Sequence, residues 1–134
     1  WKYPDKVAAR IYYNDKESHD IYAGSDFYLM PSISEPCGIS QLIAMRYGSL
    51  PIVREAGGLK DTVIPYNEYT GEGTGYSFAN INAHELLFAA KNAIDVYANK
   101  KDVHRQLIEN AMKQKNDWEK SSEKYLEMYE KIKV

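Results

Sequence analysis

The residues best suited to chemistry lie in one loop, between an apolar run and a predicted helix. The apolar run Phe27–Met30 ends at Pro31, and a helix is predicted to begin at about Gly38. The first amides of a helix have no partner inside that helix and carry part of its positive dipole. Such amides bind anions, so this arrangement suits a phosphate or a diphosphate.

Glu35 adds a second kind of ligand group to the loop. Gly38 lets the backbone approach a ligand closely, and Ser40 adds a hydroxyl donor. The Glu35 carboxylate does not suit phosphate alone, but it can accept hydrogen bonds from the hydroxyl groups of a sugar. The loop therefore indicates a sugar beside a phosphate. An ordinary joint between strand and helix, with Glu35 as a solvated charge, fits the same pattern.

The elements that must position this loop alternate between strands and helices. Strands are predicted at residues 7–12, 27–30, 50–53 and 75–78, and helices at 18–23, 39–47 and 59–64. The apolarity of residues 27–30 is continuous, which indicates a strand covered on both faces. Together these elements predict an α/β fold with a parallel sheet.

In such a sheet ligands bind beyond the carboxyl ends of the strands. Three loops qualify, at residues 13–18, 32–38 and 55–58. The last contains Gly57 and Gly58, which are explained by a tight turn or by close approach to a substrate.

The rest of the chain is predicted to be helical. Asn82 and Glu85 have the spacing of a capping box, a second helix carries Leu107 and Ala111 on one face, and a third begins near Asp117. This helical tail is longer than a small sheet needs. We therefore expect part of it, roughly residues 116–134, to reach another domain.

Composition excludes several classes of function. The net charge is −2, which argues against a nucleic-acid surface. The longest apolar run is far below the ~18 residues of a membrane-spanning helix. The histidines are scattered without metal-ligand spacing, so no metal is expected. The single cysteine, Cys37, excludes an internal disulfide and fits a reducing compartment such as the cytoplasm.

Longer motifs carry a family resemblance. The run Glu-Pro-Cys-Gly-Ile-Ser-Gln-Leu occupies residues 35–42, and Ala-Met-Arg-Tyr-Gly follows at 44–48. Gly-Gly-Leu-Lys-Asp-Thr-Val at 57–63 and Gly-Thr-Gly-Tyr-Ser-Phe at 73–78 continue the pattern. The sequence resembles bacterial glycogen synthases and plant starch synthases over nearly its whole length. The Glu-Pro-x-Gly core is shared by many retaining glycosyltransferases, whereas the longer runs are more specific to the synthases.

The resemblance implies a fold and a site. It implies two Rossmann-like domains of the GT-B type around a cleft, with residues 1–134 as the latter part of the second, nucleotide-sugar-binding domain. Glu35 would bind the hydroxyls of the donor glucose and act in catalysis, and the backbone of Cys37 and Gly38 would complete the sugar site. The amides of Ile39 and Ser40 would hold the distal phosphate, and Tyr13 would stack on the adenine. A strand-end surface residue is the alternative for Tyr13.

The resemblance also implies an activity. The parent enzyme would transfer glucose from ADP-glucose to the non-reducing 4-hydroxyl of an α-1,4-glucan with retention, without a cofactor. The family's basic residues that grip the diphosphate precede Trp1, and its glucan-binding residues belong to the first domain, so these 134 residues would be inactive alone. The alternatives are another retaining transferase of this fold, forming sucrose or trehalose, or a non-catalytic nucleotide-binding module.

Overall fold

A computed structural model describes residues 2–133. The helices are α1 (Asp15–Gly24), α2 (Ser40–Tyr47), α3 (Gly58–Thr62), α4 (Ala83–Asn99), α5 (Lys101–Lys113) and α6 (Trp118–Ile132). The strands are β1 (Phe27–Met30), β2 (Leu50–Arg54) and β3 (Tyr76–Phe78). Strands and helices alternate up to β3 and helices follow, which confirms the predicted α/β class and the helical tail.

The strands form a parallel sheet in the order β1-β2-β3. Phe27 pairs with Leu50, and Ile52 pairs with Tyr76. Because the strands are parallel, their carboxyl ends meet at one edge, where the loops after β1 and β2 lie side by side. The sheet therefore places the loop that contains Glu35 next to the loop that contains the two glycines.

The central strand β2 is covered on both faces. Leu50 and Ile52 belong to the larger apolar core, which α4 and α5 line through residues such as Val96 and Leu107. Val53 faces the opposite side and packs with Leu59 of α3. The continuous apolar sequence of β2 thus corresponds to a strand that is buried on both faces. In β1 this expectation is wrong for Leu29, which is 51% exposed.

The predicted strand at residues 7–12 is wrong. These residues form no strand, and Ile11 is 93% exposed. A strand needs a hydrogen-bonded neighbour, and none of residues 2–133 pairs with this segment. The side-chain pattern favours extended backbone but does not supply the partner.

Several helix starts follow their capping residues. Asn14 caps α1 by accepting from the Glu17 amide at 3.1 Å, so this helix begins before the predicted Ser18. The predicted cap of α4 is confirmed, since Asn82 accepts from the Glu85 amide at 2.9 Å. Asp117 caps α6 as predicted. Between residues 2 and 133 no helix is long and apolar enough to cross a membrane.

Candidate functional site

The loop at residues 31–39 connects the carboxyl end of β1 to the start of α2. Gly38 has a φ of 73°, a conformation that glycine adopts without strain. Ile39 precedes the first helical residue, and no side chain caps this helix. Within the described part of the chain, the amides of residues 37–40 donate no hydrogen bond. A row of free donors therefore stands at the positive end of α2.

The structure brings five of the six predicted site residues together in this loop and the first position of α2. Glu35 is half-buried, and its Oε2 accepts a long hydrogen bond of 3.5 Å from the Ser32 hydroxyl. Cys37 and Ile39 are exposed, whereas Gly38 and Ser40 are partly covered. The sixth, Tyr13, lies next to the cap of α1, and this residue is 90% exposed.

Gly57 and Gly58 pack against the backbone of this loop. The Gly58 amide donates to the carbonyls of Glu35 at 3.1 Å and Pro36 at 3.2 Å. A Cβ at Gly57 would lie 2.2 Å from the Glu35 oxygen, and one at Gly58 would lie 1.8 Å from the Cys37 oxygen. The two glycines therefore make room for the loop itself. The tight turn predicted from the sequence is also present, since Gly57 has a φ of 45° and the Leu59 amide donates to the Ala56 carbonyl at 3.1 Å.

Arg54, at the end of β2, holds the beginning of the same loop. Its Nε donates to the Ser32 carbonyl at 2.8 Å, and its Nη2 donates to the Ile33 carbonyl. A third donor, Nη1, reaches the Ala79 carbonyl at 3.4 Å. The structure thus assigns Arg54 to the support of the loop that contains Glu35.

Gln41 supports the loop from inside, a role that sequence reasoning missed. Gln41 is completely buried in the first turn of α2. Its Nε2 donates to the carbonyl of Gly38 at 3.0 Å, to that of Cys37 at 3.4 Å and to the Thr62 hydroxyl at 3.1 Å. Gln41 belongs to the synthase-like run at residues 35–42, but only the structure shows that its side chain supports the loop.

Tyr28 of β1 brings a further polar group close to the loop. Burial raises the pKa of its hydroxyl, and the nearby Glu35 carboxylate adds to this rise. The sequence places Tyr28 in an apolar run, where its hydroxyl is easily overlooked. The neutral phenol can donate a hydrogen bond at any physiological pH.

The arrangement can therefore bind an anion at the start of α2 and hydroxyl groups at Glu35. No group of three or more potential metal ligands occurs among residues 2–133. Two arginine side chains are engaged with backbone carbonyls. Arg54 donates to carbonyls of this loop, and Arg46 donates to the Met112 carbonyl at 3.1 Å. At the start of α2, the groups that this part of the chain offers to an anion are the backbone amides of residues 37–40.

Comparison with known proteins identifies the family. The family model described as "Glycosyl transferases group 1" matches residues 2–114. The chain belongs to the group 1 glycosyl transferases. Residues 35–63, which form the loop, α2 and the two glycines, lie entirely inside the match.

Relatives of this glycosyl transferase chain share its site region within much longer sequences. A glycogen synthase of Finegoldia magna is 61% identical over 132 residues, and one of Clostridioides difficile is 58% identical over 130 residues. These matches cover 98% and 97% of the chain but only 27% of each relative. The chain thus spans about a quarter of the length of the curated relatives it matches.

A solved structure shares the fold. The catalytic domain of starch synthase IV from Arabidopsis thaliana, bound to ADP and acarbose, superposes with a TM-score of 0.85 at 36% identity. The superposition covers 98% of this chain and 27% of that one. The three-stranded sheet and its helices thus have the same fold as about a quarter of that catalytic domain.

Proposed function

We propose that this chain forms the donor-binding part of a glycogen or starch synthase. The complete enzyme transfers glucose from ADP-glucose to the non-reducing 4-hydroxyl of an α-1,4-glucan, with retention at the anomeric carbon. The observation that carries this proposal is the row of free amides at the start of α2, placed directly beside Glu35. The high identity to glycogen synthases supports the choice of reaction.

Each site residue has a role in this proposal. The amides of Ile39 and Ser40 hold the distal phosphate and stabilise the charge that grows on the diphosphate as its bond to the glucose breaks. The backbone of Cys37 and Gly38 completes the sugar site, and Glu35 accepts hydrogen bonds from the sugar hydroxyls. The exposed ring of Tyr13 is free to stack on the adenine. The ADP bound to the Arabidopsis starch synthase supports this choice of nucleotide.

The chain also fits the latter part of the second domain of a two-domain enzyme. Helix α6 contains no buried residue, and large apolar side chains on it, including Trp118 and Tyr129, are mostly exposed. We assign α6, within residues 116–134, to a contact with the first domain, which also supplies the glucan-binding residues. We place the enzyme in the cytoplasm, in agreement with Cys37, the one cysteine of these 134 residues, which forms no disulfide within them.

Replacement of Glu35 tests the proposed site. In the full-length protein, Glu35→Ala should lower kcat for glucose transfer by roughly 100-fold, a typical effect of losing one preorganised group. Affinity for ADP should change by less than about threefold, because Glu35 contacts the sugar rather than the phosphates. Initial rates with ADP-glucose and a glycogen primer, together with calorimetry of ADP binding, measure both effects.

The matched control is Glu68→Ala, which removes an exposed carboxylate from a different loop and should change neither value. Equal losses of kcat and ADP affinity in Glu35→Ala would move Glu35 from the sugar to the phosphates. Transfer from a different nucleotide sugar, or to a free sugar, would instead identify another retaining transferase of this fold. The isolated 134 residues should show no transfer.

A further inference from the structure

We propose that Gln41 is a positioning residue that sets the direction of the donor-binding amides. This inference rests on the proposed function and deepens it. Gln41 itself is completely buried and cannot touch the donor in this arrangement. It acts through the carbonyls of Cys37 and Gly38, which accept hydrogen bonds from its Nε2.

Peptide geometry connects these carbonyls to the amides of the site. In a planar trans peptide, the carbonyl of one residue and the amide of the next point in opposite directions. No cis peptide bond occurs in the described residues. Holding the Cys37 carbonyl toward Gln41 therefore turns the Gly38 amide away from the core, and holding the Gly38 carbonyl does the same for the Ile39 amide.

The two carbonyls that precede those of Cys37 and Gly38 also point toward the core. The Glu35 and Pro36 carbonyls accept from the Gly58 amide, so the Cys37 amide also points outward. Four successive carbonyls, from residue 35 to residue 38, are thus held from the core side. This explains how three consecutive amides can remain free at the surface although the loop forms no regular secondary structure.

Gln41 also connects the loop to α3. Its Nε2 donates to the Thr62 hydroxyl at 3.1 Å, and this hydroxyl donates to the Gly58 carbonyl at 2.6 Å. Gly58 in turn holds the loop through its amide. The contacts close a ring through Gln41, Thr62, Gly58 and the loop, so a change at Gln41 disturbs both supports.

The fit between Gln41 and Gly38 leaves no room for adjustment. A Cβ at Gly38 would lie 2.6 Å from Gln41 Oε1 and 2.9 Å from Nε2. The side-chain amide therefore packs closely against the Gly38 backbone. The Oε1 atom is buried and accepts no hydrogen bond among the described residues, so the position needs the donors of the amide and not its acceptor.

The test uses Gln41→Met in the full-length protein, since methionine has a similar length but no donor. We expect kcat/KM with ADP-glucose to fall about 100-fold, the effect of misplacing reactive groups by about 1 Å. ADP affinity should fall by about tenfold. The matched control is Gln106→Met, because Gln106 is an exposed glutamine on α5 whose side chain bonds, within residues 2–133, only to Asn110. It should change both values by less than about twofold.

A second variant separates positioning from simple loss of stability. Glutamate at position 41 has the same shape, and its neutral acid form can donate one hydrogen bond, whereas its ionised form cannot. Because position 41 is completely buried, the pKa of a carboxyl there should be raised. Activity of Gln41→Glu, relative to the unsubstituted protein at each pH, should therefore rise as the pH falls from about 8 to about 6. Gln41→Met should show no such recovery. Because protonation of a buried carboxyl also raises stability, the rates are compared well below the melting temperature measured at each pH, where a folding defect does not contribute.

The outcomes distinguish this inference from the proposed function. If Gln41→Met loses only thermal stability and keeps kcat/KM well below its melting temperature, the positioning role is wrong. If Gln41→Met does not fold, a pH-independent Gln41→Glu variant would equally overturn it. If the unsubstituted protein neither binds ADP nor transfers glucose, the proposed function is wrong, and the inference about Gln41 is wrong as well because it rests on that function.

Discussion

Replacing Gly58 with alanine tests whether the two glycines are required by the loop that contains Glu35. The new Cβ would lie 1.8 Å from the Cys37 oxygen and 2.6 Å from the Cys37 Cα. Real Cβ contacts are almost never shorter than 3.0 Å, so the two backbones must separate by about 1.2 Å. Both partners are main chain, and no flexible side chain can move aside. A shift of this size should reduce kcat by about 100-fold, because donor-binding groups tolerate little misplacement.

The substitution isolates the steric effect. Gly58 is helical and has no positive φ, so alanine itself would favour the local conformation of α3. We also expect overpacking to lower the free energy of unfolding by about 1–3 kcal/mol. Initial transfer rates and denaturant unfolding of the full-length protein measure the two effects.

Gly24→Ala provides the control, because Gly24 ends α1 with open space around the added Cβ. It should leave activity unchanged and stability equal or higher. The reasoning would be refuted if Gly58→Ala kept kcat within about twofold of the unsubstituted value, or if Gly24→Ala lost as much.

Two further predictions concern stability. Burial lowers the pKa of His104, Asp26 opposes this shift, and nearby Lys101 adds to it. The contribution of neutral His104 to the free energy of unfolding is therefore fully present above the unfolded pKa of about 6.5 and is lost as the pH falls through the lower folded pKa. Denaturant unfolding between about pH 8 and pH 5 should thus show a smaller loss for His104→Gln than for the unsubstituted protein, whereas exposed His84→Gln should match the latter. For α6, Tyr129→Glu should destabilise the full-length protein by about 2 kcal/mol if its ring is buried against the first domain, while neighbouring Glu130→Lys should not. Equal melting temperatures for the two α6 variants would rule out that contact.

Much of the fold could be predicted because its signals are local. The strand at residues 27–30 and the helix that ends at Gly48 follow from apolar runs and a glycine in the left-handed conformation. The cap at Asn82 follows from a side chain three residues before the amide it accepts from. Residues 7–12 carry an equally good strand signal, but a strand also depends on a neighbour that the segment itself does not specify.

The candidate site could be predicted in part for the same reason. The loop and the start of α2 are contiguous in sequence, so the free amides and Glu35 could be found from one motif. The supports of that loop come from residues about 20 positions further on, such as Arg54, Gly58 and Thr62. Their roles depend on the parallel register of β1 and β2, which places two distant loops at one edge of the sheet.

The contact between Gly58 and Cys37 has a consequence for how this region can evolve. Cys37 contributes its carbonyl and its amide, while its side chain is exposed to solvent. Many side chains can therefore replace the thiol without changing the contact. At positions 57 and 58 any side chain would enter the space of the opposite backbone. Natural variation should consequently be broad at residue 37 and almost absent at the glycine pair, although Cys37 and Gly58 form one contact.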